Sequence, residues 1–273
     1  MSHLTAVSGL DAAAFGDDPG RWPLPPAQGH RQLWLRAIAA GGQGRYADAN
    51  AGLAELLRGR PESRLASLAL STRASFLRQL GWHWRAHDWD GRAWALAGDD
   101  PEASADALAG LAADALGVGR LGVSADLLSR ATDVLTGAGA VPPRLKIRLA
   151  WVGAELAMAS GDGRTAVSHA RRGVELAENA LPVLRRHRVK SDVVLAAALC
   201  CAGDLAASRA LADSALVAAD SHALVPLRWA LACLLAGIGS AVHSQGAIVE
   251  VRDRSAEFVT RHGGRWRMPG GRP

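Results

Sequence analysis

Aromatic residues are scarce in this 273-residue sequence, at 5%. Lysine is scarcer still: Lys146 and Lys190 are the only two, so arginine carries nearly all the positive charge behind a net +5. An arginine-for-lysine bias beside abundant alanine and glycine has the look of codon drift in a GC-rich bacterial genome. A nucleic-acid footprint would gather basic residues on one face; here they are irregular, which argues against a nucleic-acid partner. Cysteine is limited to Cys200, Cys201 and Cys233, all in apolar runs. Adjacent cysteines cannot close an ordinary disulfide and no ligand-like spacing exists, so all three are expected as buried, reduced thiols. No run alternates apolar and polar residues at period 2, which excludes a β-rich fold.

Long membrane-spanning runs are missing too. The most apolar stretch, Leu224 to Val242, is broken by Pro226, Arg228 and glycines. The start, MSHLTAVSGLDAAAFGDD, lacks a basic region followed by an apolar core, so no secretory leader is expected and the protein is placed in the cytoplasm. Walker A, G-x-S-x-G and a Cys–His pairing are all absent. GVGRLG at 117–122 mimics part of a dinucleotide fingerprint, but it falls at a helix–helix turn. His83, His87 and Asp90 have metal-like helical spacing, yet Trp84 stands where a metalloprotease helix needs its general-base glutamate. No catalytic residue, cofactor or metal is therefore expected.

What the sequence does contain is a recurring helix hairpin. A small-residue-rich helix ends at glycine, a short polar turn follows, and an alanine-studded helix begins. The turn glycines are Gly44, Gly81, Gly119, Gly161 and Gly203, roughly 40 residues apart. Self-similarity at such a period means stacked units, each unable to bury its apolar face without a neighbour. The proline-rich residues 1–28 are expected as a flexible arm, or as a strap packing Trp22 onto the first helix. Residues 29–262 form the helical domain and 263–273 a basic, disordered tail. The fold class is all-α.

In mid first helix the units place Ala37, Ala74, Ala112, Ala154 and Ala196. Early in the second helix they place Ala49, Ala86, Ser124, Ala166 and Ser208, and Pro61 closes the first unit. On these residues the hairpins resemble tetratricopeptide repeats. The stretch RASFLRQLGWHWRAHDWDGRAWAL is also similar to free-standing tetratricopeptide-like proteins of actinobacteria. The spacing departs from the family's 34 residues, so its superhelical twist is not carried over. The resemblance implies an α-solenoid of about five to six antiparallel hairpins, non-catalytic, holding a protein or peptide partner in a concave groove lined by the first helices. The alternative is a regulatory sensor that binds a peptide or small molecule and acts on a transcription factor.

Carried onto this sequence, the groove positions are Arg31, Trp34, Ser75, Arg78, Arg148, Trp151, Glu155 and Lys190. Arg148, Trp151 and Glu155 share a helical face; Trp151 is either an interface anchor or a core packing residue. The run Arg185 to Lys190, with Arg171, Arg172 and Lys146, is either a solvated helix start or a basic wall for an acidic ligand. Trp82, Trp84, Trp89 and Trp94 crowd one hairpin and cannot all share a face, so one side contacts something beyond it.

Overall fold

A computed structural model of the chain describes residues 9–267, and among these it contains thirteen α-helices and no strand. They are α1 (Gly9–Phe15), α2 (His30–Gly42), α3 (Tyr46–Arg58), α4 (Ser63–Gln79) and α5 (His83–Ala97). There follow α6 (Pro101–Gly117), α7 (Leu121–Gly137), α8 (Pro143–Ala159) and α9 (Gly163–Glu178). The last four are α10 (Arg185–Cys201), α11 (Leu205–Ser221), α12 (Val225–Ile238) and α13 (Gln245–Arg261). No described helix is long and apolar enough to cross a membrane.

Local chemistry sets the helix starts. Asp100, Asp162, Asp204 and Ser244 each accept a hydrogen bond from the backbone N–H three residues on, capping α6, α9, α11 and α13. Proline opens the first turn of α6, α8 and α12, where its missing N–H costs nothing. The five aligned turn glycines all have positive φ, between 74° and 87°, which a side chain would resist.

Each helix packs against its neighbour in sequence, and the even-numbered helices α2 to α12 also pack against one another in series. The odd-numbered helices form no comparable series. Small residues make the close approaches possible: Ala37, Ala74, Ala112, Ala154 and Ala196 are at most 1% exposed, and Ala49, Ala86, Ser124, Ala166 and Ser208 are 0% exposed. A Cβ added to Gly41 would overlap the Phe76 ring, which makes the α2–α4 crossing equally tight.

The ends of this array meet. The Ala47 N–H at the start of α3 donates to the His262 carbonyl after α13 at 2.8 Å, and the Arg267 N–H donates to the Leu80 carbonyl at 2.9 Å. The Trp82 indole donates to the Arg265 carbonyl, while Val225 and Val259 enter the core built by α1 to α6. The expectation of a concave groove did not include these contacts between the start and the end of the helix series.

Three further expectations need correction. Residues 9–28 are not an unstructured arm. Leu10, Ala13, Ala14 and Leu24 are buried, and Gln43 donates to the carbonyls of Pro19 and Arg21, both at 2.9 Å. Trp22 is not packed down on α2; it is 41% exposed beneath the Arg45 guanidinium. The tail is ordered through 267, where Trp266 packs on Trp229 with ring centroids 4.2 Å apart. Residues 1–8 and 268–273 lie outside the described residues. The thiols are free but not buried: Cys201 is exposed, and Cys200 and Cys233 are half-buried.

Ala154→Leu at a fully buried crossing should destabilise the fold by about 1–3 kcal/mol through overpacking. A urea denaturation midpoint equal to that of the parent would contradict it.

Candidate functional site

The inner helices enclose a cleft of about 310 Å³. Its walls come from α2 (Trp34, Ile38, Gly42), α4 (Ser71, Thr72, Ser75, Phe76, Gln79), α6 (Asp106), α8 (Arg144, Arg148, Trp151), α10 (Arg186, His187, Lys190) and α12 (Pro226, Leu227, Trp229, Ala230). Phe15 from α1 completes it, and no odd-numbered helix from α3 to α13 contributes. Phe15, Trp34 and Arg144 also line a second cavity of about 260 Å³, so these three side chains form the partition between the two.

Charge runs as a ladder from the second cavity to the cleft. Arg64 pairs with Asp100 at 3.0 Å and with Glu102. Arg144 then bridges Glu102 at 2.6 Å and Asp106 at 2.7 Å, and Arg148 pairs with Asp106. Burial lowers the Arg148 guanidinium, helped by the nearby charges of Arg78 and Arg186, to about 10, so it remains a cation at neutral pH. Lys190 pairs with Glu155 at 3.2 Å and lies 5.9 Å from the centre of the Trp151 ring.

Arg186 breaks the pattern. Among the described residues it has no ion-pair or hydrogen-bond partner, although it crosses from α10 to α2, where a Cβ on Gly42 would lie 3.1 Å from its Nη1. Burial, then the charge of Arg144, lowers it to about 10, still well above neutrality. Its neighbour His187 is 4% exposed and stacks on Trp151 with centroids 5.4 Å apart. Burial, followed by the charges of Arg186, Arg144 and Arg148, holds this imidazole well below its ordinary value, so the ring is neutral. Its buried Nδ1 has no hydrogen-bond partner.

Of the predicted groove residues, Trp34, Ser75, Arg148, Trp151 and Lys190 are brought together around this cleft. Trp34 is buried and donates to Thr72 Oγ1 at 2.9 Å, and Trp151 donates to Ser191 Oγ at 2.8 Å. Glu155 serves the cleft only as the partner of Lys190. Arg31 lies on the second cavity, paired with Asp11 at 2.9 Å.

Arg78 requires correction: its side chain is buried away from the cleft, where Nη1 bonds Asp90 and also Asp114, the latter at 2.9 Å. Gly110 permits this cluster, since a Cβ there would overlap the Asp90 carboxylate. Asp90 is thereby committed to an ion pair, and no described group of three or more potential ligands could hold a metal.

The basic run divides by helical face. Arg186, His187 and Lys190 face the cleft, whereas Arg188 caps the carbonyls of Ala177 and Glu178. Arg171, Arg172 and Lys146 are exposed and contribute nothing to the cleft wall. The tryptophans of α5 and its turn are half-buried and capped by arginines: Arg85 over Trp82 and Trp84, Arg73 and Arg92 over Trp89, Arg130 over Trp94. Residues the sequence reading did not single out include Phe15, Phe76, Asp106, Arg144 and Trp229. Phe15 closes α1; the common signal of the other four is position on the inner face of an even-numbered helix. No protein-family model matches the chain, and no curated protein matches its sequence.

The Arg78 cluster sets a pH dependence. Two buried carboxylates share one guanidinium, and burial, only partly offset by Arg78 and reinforced by Asp90, raises Asp114 to about 7. A carboxyl whose folded value exceeds the unfolded value of about 4 binds its proton more tightly in the native state. Its contribution is therefore complete below pH ~4 and is lost as pH rises through about 7. Between pH 5 and 8 the parent should lose stability on the order of a few kcal/mol, and Asp114→Asn should flatten that slope. Equal slopes in chemical denaturation at the two pH values would refute the assignment.

Proposed function

We propose that the chain is a tetratricopeptide-like stack of helical hairpins acting as a non-catalytic binding protein, with the inner-helix cleft as its ligand site. Of the two functions expected from the sequence, this favours the regulatory sensor over the open-groove adaptor. The observation that carries it is the convergence of α1 and all six even-numbered helices on one cleft of about 310 Å³. That volume lies at the small end of the range for small-molecule pockets and is well below what a partner helix would occupy.

Each even-numbered helix supplies part of the wall, so a ligand there bears on several of them. Its binding would stabilise the arrangement in which the ends meet, by an amount set by its concentration relative to Kd. Such coupling is what a sensor needs: the same ligand that fills the cleft fixes the relative placement of the outer helices. The outer helices, with their arginine-capped tryptophans, are the surface on which a partner regulator would read that placement.

Ser75→Trp, at the cleft wall, tests the site. Protein purified from a GC-rich bacterial host should carry a bound small molecule in native mass spectrometry, and the variant should lose it while retaining parental helicity. An adduct unaffected by Ser75→Trp, or a protein partner captured equally by both proteins with no small molecule in either, would overturn the proposal.

A further inference from the structure

The cleft carries more cations than carboxylates, and the surplus can be assigned to one residue. Arg144 and Arg148 are satisfied by Glu102 and Asp106, and Lys190 by Glu155. Arg64, the other claimant on Glu102, has Asp100 as well. Arg186 alone has no carboxylate, and the first turn of α10 adds the positive end of a helix dipole that its own Arg185, Arg186 and Arg188 only reinforce. Arg186 is half-buried, and it faces the cleft with no carboxylate to meet it. It persists here beside a neutral, unpartnered His187 and an aromatic wall of Phe76, Trp151 and Trp229.

We propose that Arg186 is the anion-recognition residue of the cleft and that the ligand is a small organic acid. It carries one carboxylate and a flat apolar group. The inference rests on the cleft being a ligand site and adds its chemistry. One uncompensated charge matches a monoanion rather than a phosphate dianion. The guanidinium fork fits a carboxylate in two parallel hydrogen bonds, with the His187 ring positioned alongside. The apolar part lies against Trp229 and Phe76, where aromatic faces favour a planar group. Trp229 is in turn backed by Trp266, which fixes that wall.

Calorimetric titration of the full chain with 3-phenylpropionate, 3-phenylpropionamide, phenyl phosphate and the tripeptide Gly-Gly-Phe tests each element. The carboxylate should bind at millimolar concentration or better, with the amide weaker by at least about tenfold. Arg186→Gln should abolish that difference, while Arg172→Gln on the exposed face of α9 should preserve it. Without ligand, Arg186→Gln should melt no lower than the parent, because it removes a charge with no partner. The assignment is overturned by equal binding of acid and amide, by undetectable binding of the acid, or by an Arg186→Gln variant that keeps the preference or melts lower.

Tighter binding of phenyl phosphate would overturn the monoanion, and much tighter binding of the tripeptide would replace the free acid by a peptide terminus. A co-purified molecule that Ser75→Trp displaces but Arg186→Gln does not would remove this inference and leave the cleft as the ligand site.

Discussion

Close helix contact through alanine, serine and glycine is the constraint from which the rest of this structure follows. Where Ala154 or Ala112 sits at 0% exposure, no larger side chain fits between the helices. Large side chains such as Tyr46, Leu53 and Leu108 fill the core between these crossings, and other bulky and charged residues go to the outer surface or to the inner face. The inner face is also where the even-numbered helices approach each other in series. Aromatic and ionic groups line the space that the small residues leave open on that face, and a sequence with few aromatics places several of them around the cleft.

Putting ionic groups into that space has an electrostatic consequence. Away from water, each charge needs a partner close by, and the ladder from Arg64 through Glu102, Arg144 and Asp106 to Arg148 supplies one at every step. The Arg78 cluster solves the same problem with the opposite imbalance, two carboxylates on one cation, and a proton on Asp114 relieves it. Arg186 has no such relief within the protein, because a guanidinium near 10 keeps its proton at neutral pH. The two sites are thus complementary: one adjusts its charge with pH, and the other keeps a fixed charge facing the cleft.

The hairpins were legible because their signals are local. A turn glycine at positive φ, a capping aspartate and an alanine at a crossing can each be read from a few residues, and all five aligned turns occur where the sequence places them. The partnership of Arg78 with Asp90 and Asp114 was not legible, since its side-chain direction depends on how α4, α5 and α6 cross. Closure was harder still. Nothing near Ala47 or Leu80 in sequence announces that His262 and Arg267 will bond to them. Prolines in residues 19–26 read as disorder, but they mark an irregular segment held by Gln43. Of the candidate cleft residues, those in the Arg185–Lys190 run were found by their charge. Phe76 and Trp229 carry no such marker.

Closure and cleft chemistry are consequently parts of one equilibrium. The wall at Trp229 is backed by Trp266 from the C-terminal segment, and the partition at Phe15 comes from α1, whose following Gly16 carbonyl accepts from the Arg185 N–H at 3.1 Å. The cleft therefore owes part of its wall to α1 and to the segment that follows α13. On the proposed reading, a ligand that contacts Arg186 on α10 and the aromatic wall on α4 and α12 would have lower free energy with these segments in place than without them. By linkage, these segments in place would raise the affinity for that ligand by the same factor.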